Sequence, residues 1–329
     1  MLEKPSIDEK TIFSCLENSY GIQPESINFL PLGNNPDTWV YKISSGKDNY
    51  FLKLKRGEVY EPSVSLPNYL NNQGIKEVFS PIETKAKNLW VKVSNYSIVL
   101  YPFVEGTTAM KSGMSDEQWI EFGLTLKRLH ETHLPSSLLK QVQEENFLPK
   151  WSGLIRDIQR KVQRDRHLNS FEVGFVEYWK EKDIEINQIL ERTEEIGQYL
   201  KNKPHDFVLC HTDIHTDNIL LDKENMYLVD WDTPLMAPKE RDLMFVEGSE
   251  KAQLFYKGYG AVVIDRPVLA YYRYEWVVQE IGDYGQRIFL SKDAGKETLE
   301  HAFRSFTELF EPGNVVETAY QSDNVKIPK

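Results

Sequence analysis

"VLCHTDIHTDNILLDKENMYLVDWD", residues 208–232, carries five aspartates, two histidines and two asparagines among apolar residues of β type. Its stretches "FVLCH" and "MYLVDW" read as two short strands, and the polar residues collect between and after them. The spacing predicts a hairpin-like island in a region that is otherwise helical. Such an interruption calls for a reason, and the polar residues supply one.

His211-x-Asp213 is followed by Asn218 five residues after the aspartate, and Asp230 ends an apolar strand twelve residues later. This is the H-x-D-x-x-x-x-N pattern of kinase catalytic loops with its following metal-binding aspartate. Phosphoryl transfer from ATP needs a carboxylate at the acceptor hydroxyl, oxygen ligands for Mg²⁺ and a cation on the phosphates. Asp213 fits the first role, and Asn218 and Asp230 fit the second.

The remaining parts are sought upstream. Residues 26–103 read mainly as strands, "SINFLPL", "TWVYKI", "NYFLKLK", "LWVKV" and "YSIVLYPFV", separated by turn residues. "FLKLK" resembles the kinase V-A-I-K strand and puts Lys53 where it could bind the α- and β-phosphates; Lys55, on the same face by alternation, competes with it. A glutamate from the next helix should pair with that lysine; Glu61 is the choice and Glu58 the alternative, with Pro67 disturbing the helix. The turn between the first two strands would cover the phosphates and holds a single glycine, Gly33. "VLYPFVEG" stands where two lobes would join, so Tyr101 to Phe103 are candidates for a hinge whose backbone holds adenine.

The chain opens on a helical stretch with Ser6 and Glu9 at capping-box spacing and Gly21 as its stop. After Gly106 the pattern is helical: Ser115 and Gln118 form another capping box, and "FEVGFVEYWKEKDIEINQILERTEEIGQYL" reads as a long helix. The ending "QSDNVKIPK" reads as a frayed tail. The expectation is an α+β, two-lobed, protein-kinase-like fold, with a β-rich lobe over 1–103 and a larger, mostly helical lobe over 104–329.

Composition narrows the partners. Fifty acidic against 39 basic residues give a formal charge of −11, which disfavours nucleic acid and anionic membrane and favours a small cationic ligand. Cys15 and Cys210 lie in no disulfide or zinc spacing and read as buried thiols. With no leader-like N-terminus and no apolar run of about 18 residues, a cytoplasmic location is expected.

The strand ends "VDWD" and "APKE" begins at Ala237, leaving no room for a peptide-docking segment, so a protein substrate is not expected. "LCHTDIHTDNIL", "LVDWD" and "APKERDLMF", together with "LKRLHET", "YYRYEWVVQEIGDYGQ" and "LFEPGNVVE", resemble the aminoglycoside phosphotransferase family, most of all its spectinomycin phosphotransferase branch. The resemblance spans nearly the whole chain. It implies ATP and Mg²⁺ as cofactors, an O-phosphorylated aminocyclitol as product, and antibiotic resistance as the consequence. It makes Asp213 the catalytic base, Asn218 and Asp230 the metal ligands and Lys53 the phosphate ligand. His211 would brace the loop, and His215 receives no chemistry. Asp217 reads as a solvated carboxylate, Asp232 stands near metal or substrate, and Arg241 with Asp242 reads as a structural ion pair.

A cationic acceptor calls for carboxylates and an aromatic wall, and Tyr274, Glu280, Asp283 and Tyr284 on "YEWVVQEIGDYG" are the substrate-site candidates. A kinase of a metabolic alcohol, such as choline, homoserine or a thiamine precursor, and a nucleotide-binding module without turnover are the competing readings, since fold alone does not choose an acceptor.

Overall fold

Apolar residues at every second position draw residues 26–102 into a sheet. The computed structural model describes residues 2–33, 35–164, 170–223, 225–291 and 294–327. Helix α1 (Glu9–Cys15) runs into a π-helical turn, Leu16–Tyr20, that ends at Gly21 in left-handed backbone. Its cap is Asp8, whose carboxylate accepts the Lys10 N–H at 3.0 Å. The Ser6–Glu9 box is not formed, because the helix starts later, with Asp8 as its cap and Glu9 as its first residue.

Strands β1 (Ser26–Leu30), β2 (Thr38–Ser45) and β3 (Asp48–Arg56), helix α2 (Pro62–Asn72), and strands β4 (Val91–Val93) and β5 (Tyr96–Pro102) follow. The sheet order is β1-β2-β3-β5-β4, antiparallel throughout. Leu52 and Leu54 of β3 are fully buried with Trp39, Tyr41, Ile43, Ile98 and Leu100, under Ile12 and Leu16 of the N-terminal helix. Strand alternation therefore turns Lys53 to the other face. Pro67 lies inside α2 and does not end it.

The chain continues through β6 (Thr107–Thr108), α3 (Ala109–Ser112), α4 (Asp116–His130), α5 (Ser136–Leu139), β7 (Gln143–Glu144), α6 (Ser152–Arg164) and α7 (Ser170–Lys201). Then come β8 (Val208–Cys210), β9 (Ile219–Asp222), β10 (Asn225–Leu228), β11 (Leu235–Ala237), α8 (Glu240–Leu243) and α9 (Ala252–Tyr259). Helices α10 (Arg266–Phe289), α11 (Lys296–Glu308) and α12 (Val315–Ser322) complete it. A β-rich N-terminal region and a mostly helical C-terminal region are thus present. The expected capping box of α4 is present in both directions, Ser115 to Gln118 and back. No helix among the described residues is long and apolar enough to cross a membrane.

Two compact units emerge. One holds residues 3–145 and 206–262, so it includes residues on both sides of position 103; the other holds 146–205 and 263–329. In the first, the island is more than the expected hairpin. β9 pairs with β10 and β6, while β8 pairs with β11, so "FVLCH" and "MYLVDW" have different partners. Leu209 and Cys210 are fully buried, which makes β8 a core strand rather than half of a surface ribbon.

Helices α4 and α9 cross on two glycines. A Cβ at Gly123 would lie 2.0 Å from the Phe255 carbonyl oxygen, and one at Gly258 would lie 1.8 Å from that of Ile120. Backbone cannot swing aside as a side chain can, so Gly258→Ala should destabilise the protein by about 2 kcal/mol despite alanine's better helix propensity. Urea unfolding with a lower midpoint and unchanged slope checks this.

In the second unit, α7, α10 and α11 meet over aromatic rings: Phe175 packs on Phe289 and Phe306, and Trp179 stacks on Phe306 at 5.4 Å. The C-terminal segment is tied down rather than frayed. Asp323 takes two bonds from Arg192 of α7, at 2.8 and 2.7 Å, and one from the Tyr274 hydroxyl of α10 at 3.1 Å. Arg192 also donates to the Val325 carbonyl at 2.8 Å. Residues 328–329 of the expected tail lie outside the described residues.

Candidate active site

Strand β3 delivers Lys53 to the island. Its ammonium lies 2.7 Å from Asp230 Oδ1 and 2.6 Å from Asp232 Oδ1. Burial works to lower the Lys53 pKa, but the two carboxylates outweigh it and hold it above the ordinary lysine value. Asp232 responds in reverse: burial would raise its pKa, and the Lys53 charge and hydrogen bond keep it low. Lys55, its rival on the same face, makes no ion pair among the described residues.

Glu61 does not pair with Lys53. It stands just before α2 without capping it, and its carboxylate accepts the Trp90 indole N–H at 2.9 Å. Glu58, the alternative, pairs with Lys92 at 3.1 Å. The lysine's partners come from the island rather than from the helix, and the Glu61 carboxylate is taken by Trp90.

Two non-glycine residues of the island, Thr212 (φ 79°) and Asp230 (φ 66°), have left-handed backbone. Such conformations cost free energy and persist where surrounding contacts over-determine them. At Thr212 the contacts come from Asp242. Its Oδ2 accepts the His211 N–H at 2.9 Å, and its Oδ1 accepts the Thr212 N–H at 2.7 Å. His130, at the end of α4, faces Asp242 Oδ2 at 3.1 Å, and the Tyr259 hydroxyl of α9 lies 2.7 Å from the other ring nitrogen. Burial would raise the Asp242 pKa; His130, and after it His211 through its ring and its backbone N–H, hold it below the ordinary carboxylate value.

Asp242 therefore braces the loop and does not pair with Arg241, contrary to the expectation from sequence. His130 and Tyr259 complete the brace and escaped sequence reasoning, since nothing local links positions 130, 242 and 259. His130, Cys210 and Asp242 come within 4.8 Å of one another, yet their chemistry does not suit a metal. Both Asp242 oxygens already accept amide hydrogens, and burial holds the Cys210 thiol protonated by pushing its pKa well up.

His211 braces as expected. Its ring nitrogens face the Val229 carbonyl at 2.9 Å and the Asp213 N–H at 3.3 Å, which ties the loop to the residue before Asp230. Asn218 donates through its amide nitrogen to the Asp213 carbonyl at 2.7 Å and to Asp213 Oδ2 at 2.9 Å. Both partners are acceptors, so nitrogen must face them and the Asn218 side-chain oxygen is turned elsewhere. Burial would raise the Asp213 pKa, but the neighbouring His215 ring, more than His211 and Arg241, keeps it low. Asp217 is exposed, as expected.

Gly33 stands in the β1–β2 turn with φ 83°, a conformation that favours glycine. Tyr101, one residue before the end of β5, stands opposite Phe51. The Phe103 N–H is already donated to the Asn49 carbonyl at 3.2 Å, which removes that hinge donor from use. The Lys42 ammonium lies over the Phe103 ring at 4.3 Å. An open pocket of about 480 Å³ follows, lined among others by Phe103, Val104, Gly106 and Leu221.

The substrate-site candidates on α10 belong to the second unit. Tyr274 is 3% exposed and its hydroxyl is engaged by Asp323, so it does not form an open aromatic wall. Tyr284 is also buried, hydrogen-bonded to Glu280 one turn before it, with the Arg287 guanidinium 5.2 Å over its ring. Asp283 pairs with Arg287, yet burial still pushes its pKa up.

The comparison with known proteins follows the geometry. The sequence pattern of the phosphotransferase enzyme family matches residues 26–246. A spectinomycin phosphotransferase, APH(9)-Ia, solved with ADP and spectinomycin, is 32% identical and covers 98% of this chain and 100% of its own, with a TM-score of 0.87. Protein StrN of Streptomyces griseus is 22% identical over 310 residues, 87% of this chain and 89% of that one. An amicoumacin kinase, 15% identical with a TM-score of 0.61 over 94% of this chain and 97% of its own, shares the fold. The fold is kinase-like, and the chain belongs to the phosphotransferase enzyme family as a kinase-type enzyme.

Proposed function

We propose that this enzyme transfers the γ-phosphoryl group of ATP to a hydroxyl of a small cationic aminocyclitol, with spectinomycin as the acceptor, and that it thereby confers resistance. The observation that carries the reading is the convergence of Lys53, Asp230 and Asp232 beside the braced Asp213–Asn218 loop. The relative solved with ADP and spectinomycin supports the choice of nucleotide and acceptor. The net charge of −11 favours approach of a cation.

Asp213 receives the acceptor's proton as the hydroxyl oxygen attacks the γ-phosphorus; the bond to the bridging oxygen breaks and ADP leaves. Lys53 exchanges its two carboxylates for phosphate oxygens. The residues fit a divalent cation: the Asn218 side-chain oxygen is free of Asp213, and Asp230 already faces a cationic group. Mg²⁺ bound by Asn218 and Asp230 would offset charge on the phosphate oxygens. Tyr101, Phe103 and the turn at Gly33 border the nucleotide. Asp232, beside Lys53, remains a candidate contact of the acceptor, and Tyr274 serves the clamp at Asp323 instead.

Incubation with Mg-ATP and a panel of alcohols, read by mass, tests the reading. Spectinomycin should gain one phosphate while choline, homoserine and thiamine precursors do not. Phosphorylation of another alcohol in place of spectinomycin would reject this acceptor, and nucleotide binding without any product would reject turnover.

A further inference from the structure

Thr212 is a β-branched residue in left-handed backbone, at φ 79°, a conformation in which branching at Cβ is strained. Glycine adopts it readily, so the threonine needs a reason of its own. Its side chain is buried, and its hydroxyl donates to the Thr233 carbonyl at 2.9 Å and lies 2.9 Å from the Thr233 hydroxyl. This side-chain link is separate from the backbone N–H that Asp242 accepts.

The link joins the residue before Asp213 to the residue after Asp232. The segment between β10 and β11 carries Asp230 and Asp232, and it is fastened at both ends. At one end the Val229 carbonyl faces the His211 ring at 2.9 Å, and the Val229 N–H is donated to the Asn218 carbonyl at 3.0 Å. At the other end Leu235 pairs with Cys210 in the ladder of β11 with β8. Between these ends Lys53 holds the two carboxylates, and Thr212 holds the backbone. Thr233 itself is exposed, so water can take over its hydrogen bonds but does not fix where the segment lies.

We propose that Thr212 is a positioning residue: its hydroxyl sets the distance between Asp213 and the segment carrying Asp230 and Asp232, and so aligns the acceptor hydroxyl with the phosphates. The proposal rests on the phosphotransferase reading of Asp213 and Asp230. When Lys53 turns to phosphate oxygens, the hydroxyl link stays in place. The strain at Thr212 is then part of the alignment, as strained backbone at working sites is. Misplacement of about 1 Å costs on the order of 100-fold in rate.

Three variants separate the hydroxyl from the backbone. Thr212→Val keeps the branched shape without the hydroxyl, Thr212→Ser keeps the hydroxyl, and Thr212→Gly relieves the backbone but lacks the hydroxyl. With an acceptor that the wild type phosphorylates, Thr212→Val should lower kcat about 10- to 100-fold. KM for ATP and acceptor should stay within about twofold. Thr212→Ser should recover most of the lost kcat, and Thr212→Gly should stay as low as Thr212→Val. In the nucleotide-free protein, ¹⁵N relaxation should give Trp231, Asp232 and Thr233 order parameters of about 0.85 in the wild type and Thr212→Ser, falling toward about 0.6 in Thr212→Val. An unchanged kcat or unchanged order parameters in the Val variant, no recovery in the Ser variant, or wild-type kcat in the Gly variant would each overturn the proposal. The relaxation measurement needs no acceptor, so absence of turnover in the wild type would overturn the phosphotransferase reading and leave the Thr212 link to be decided by the order parameters.

Discussion

Asp213→Asn is expected to lower phosphoryl-transfer turnover by about 10²- to 10⁴-fold, the contribution typical of a general base. The replacement keeps the shape of the side chain and an oxygen for Asn218, so the loop and its brace at Asp242 remain. What it loses is the site that takes the acceptor's proton. ATP affinity, read by calorimetry, should stay within about twofold, because the phosphates are held elsewhere. The effect belongs in kcat and kcat/KM alike, as for an interaction made only in the transition state. Undiminished turnover would remove Asp213 from its role.

The second large effect is expected from Lys53→Met, about 10²- to 10³-fold in kcat, the scale for loss of one preorganised charge at the reacting group. KM for ATP should rise as well, since the ammonium would contact the phosphates before and during transfer. The change also leaves Asp230 and Asp232 facing each other without the cation that now separates them. Both are partly exposed, so solvent screens much of this repulsion and the melting temperature should fall little compared with the rate. The Lys53 pKa is raised, so its contribution to stability is complete below the ordinary lysine value and is lost as pH rises through the folded value. The alkaline limb of the rate profile should therefore not report Lys53. A Lys53→Met enzyme with wild-type kcat would transfer the role to Lys55.

The parts legible from sequence are those set by short spacings. A strand of alternating residues fixes which way Lys53 points relative to Leu52 and Leu54, and five residues of loop bring Asn218 back to Asp213. Partners chosen across long separations were not legible. Glu61 looked available to Lys53, but Trp90 takes its carboxylate, and that pairing depends on where α2 begins. Asp242 looked like a partner for its neighbour Arg241, whereas buried amides from the loop offered it better-directed hydrogens. Tyr274 shares the stretch "YEWVVQEIGDYG" with Glu280, but its hydroxyl answers to Asp323, 49 residues on. Strained backbone at Thr212 and Asp230 leaves no compositional trace, as neither residue is glycine.

The clamp at Asp323 bears on how the helical unit opens. Arg192 of α7 and Tyr274 of α10 meet on one carboxylate from the chain's last segment, and Arg192 reaches the Val325 carbonyl besides. A terminal helix of eight residues would ordinarily fray on its own and exchange its amide hydrogens quickly. Tied at its exit to two long helices, α12 instead joins their cooperative unit, and its amides should exchange at rates set by the opening of α7 and α10 together.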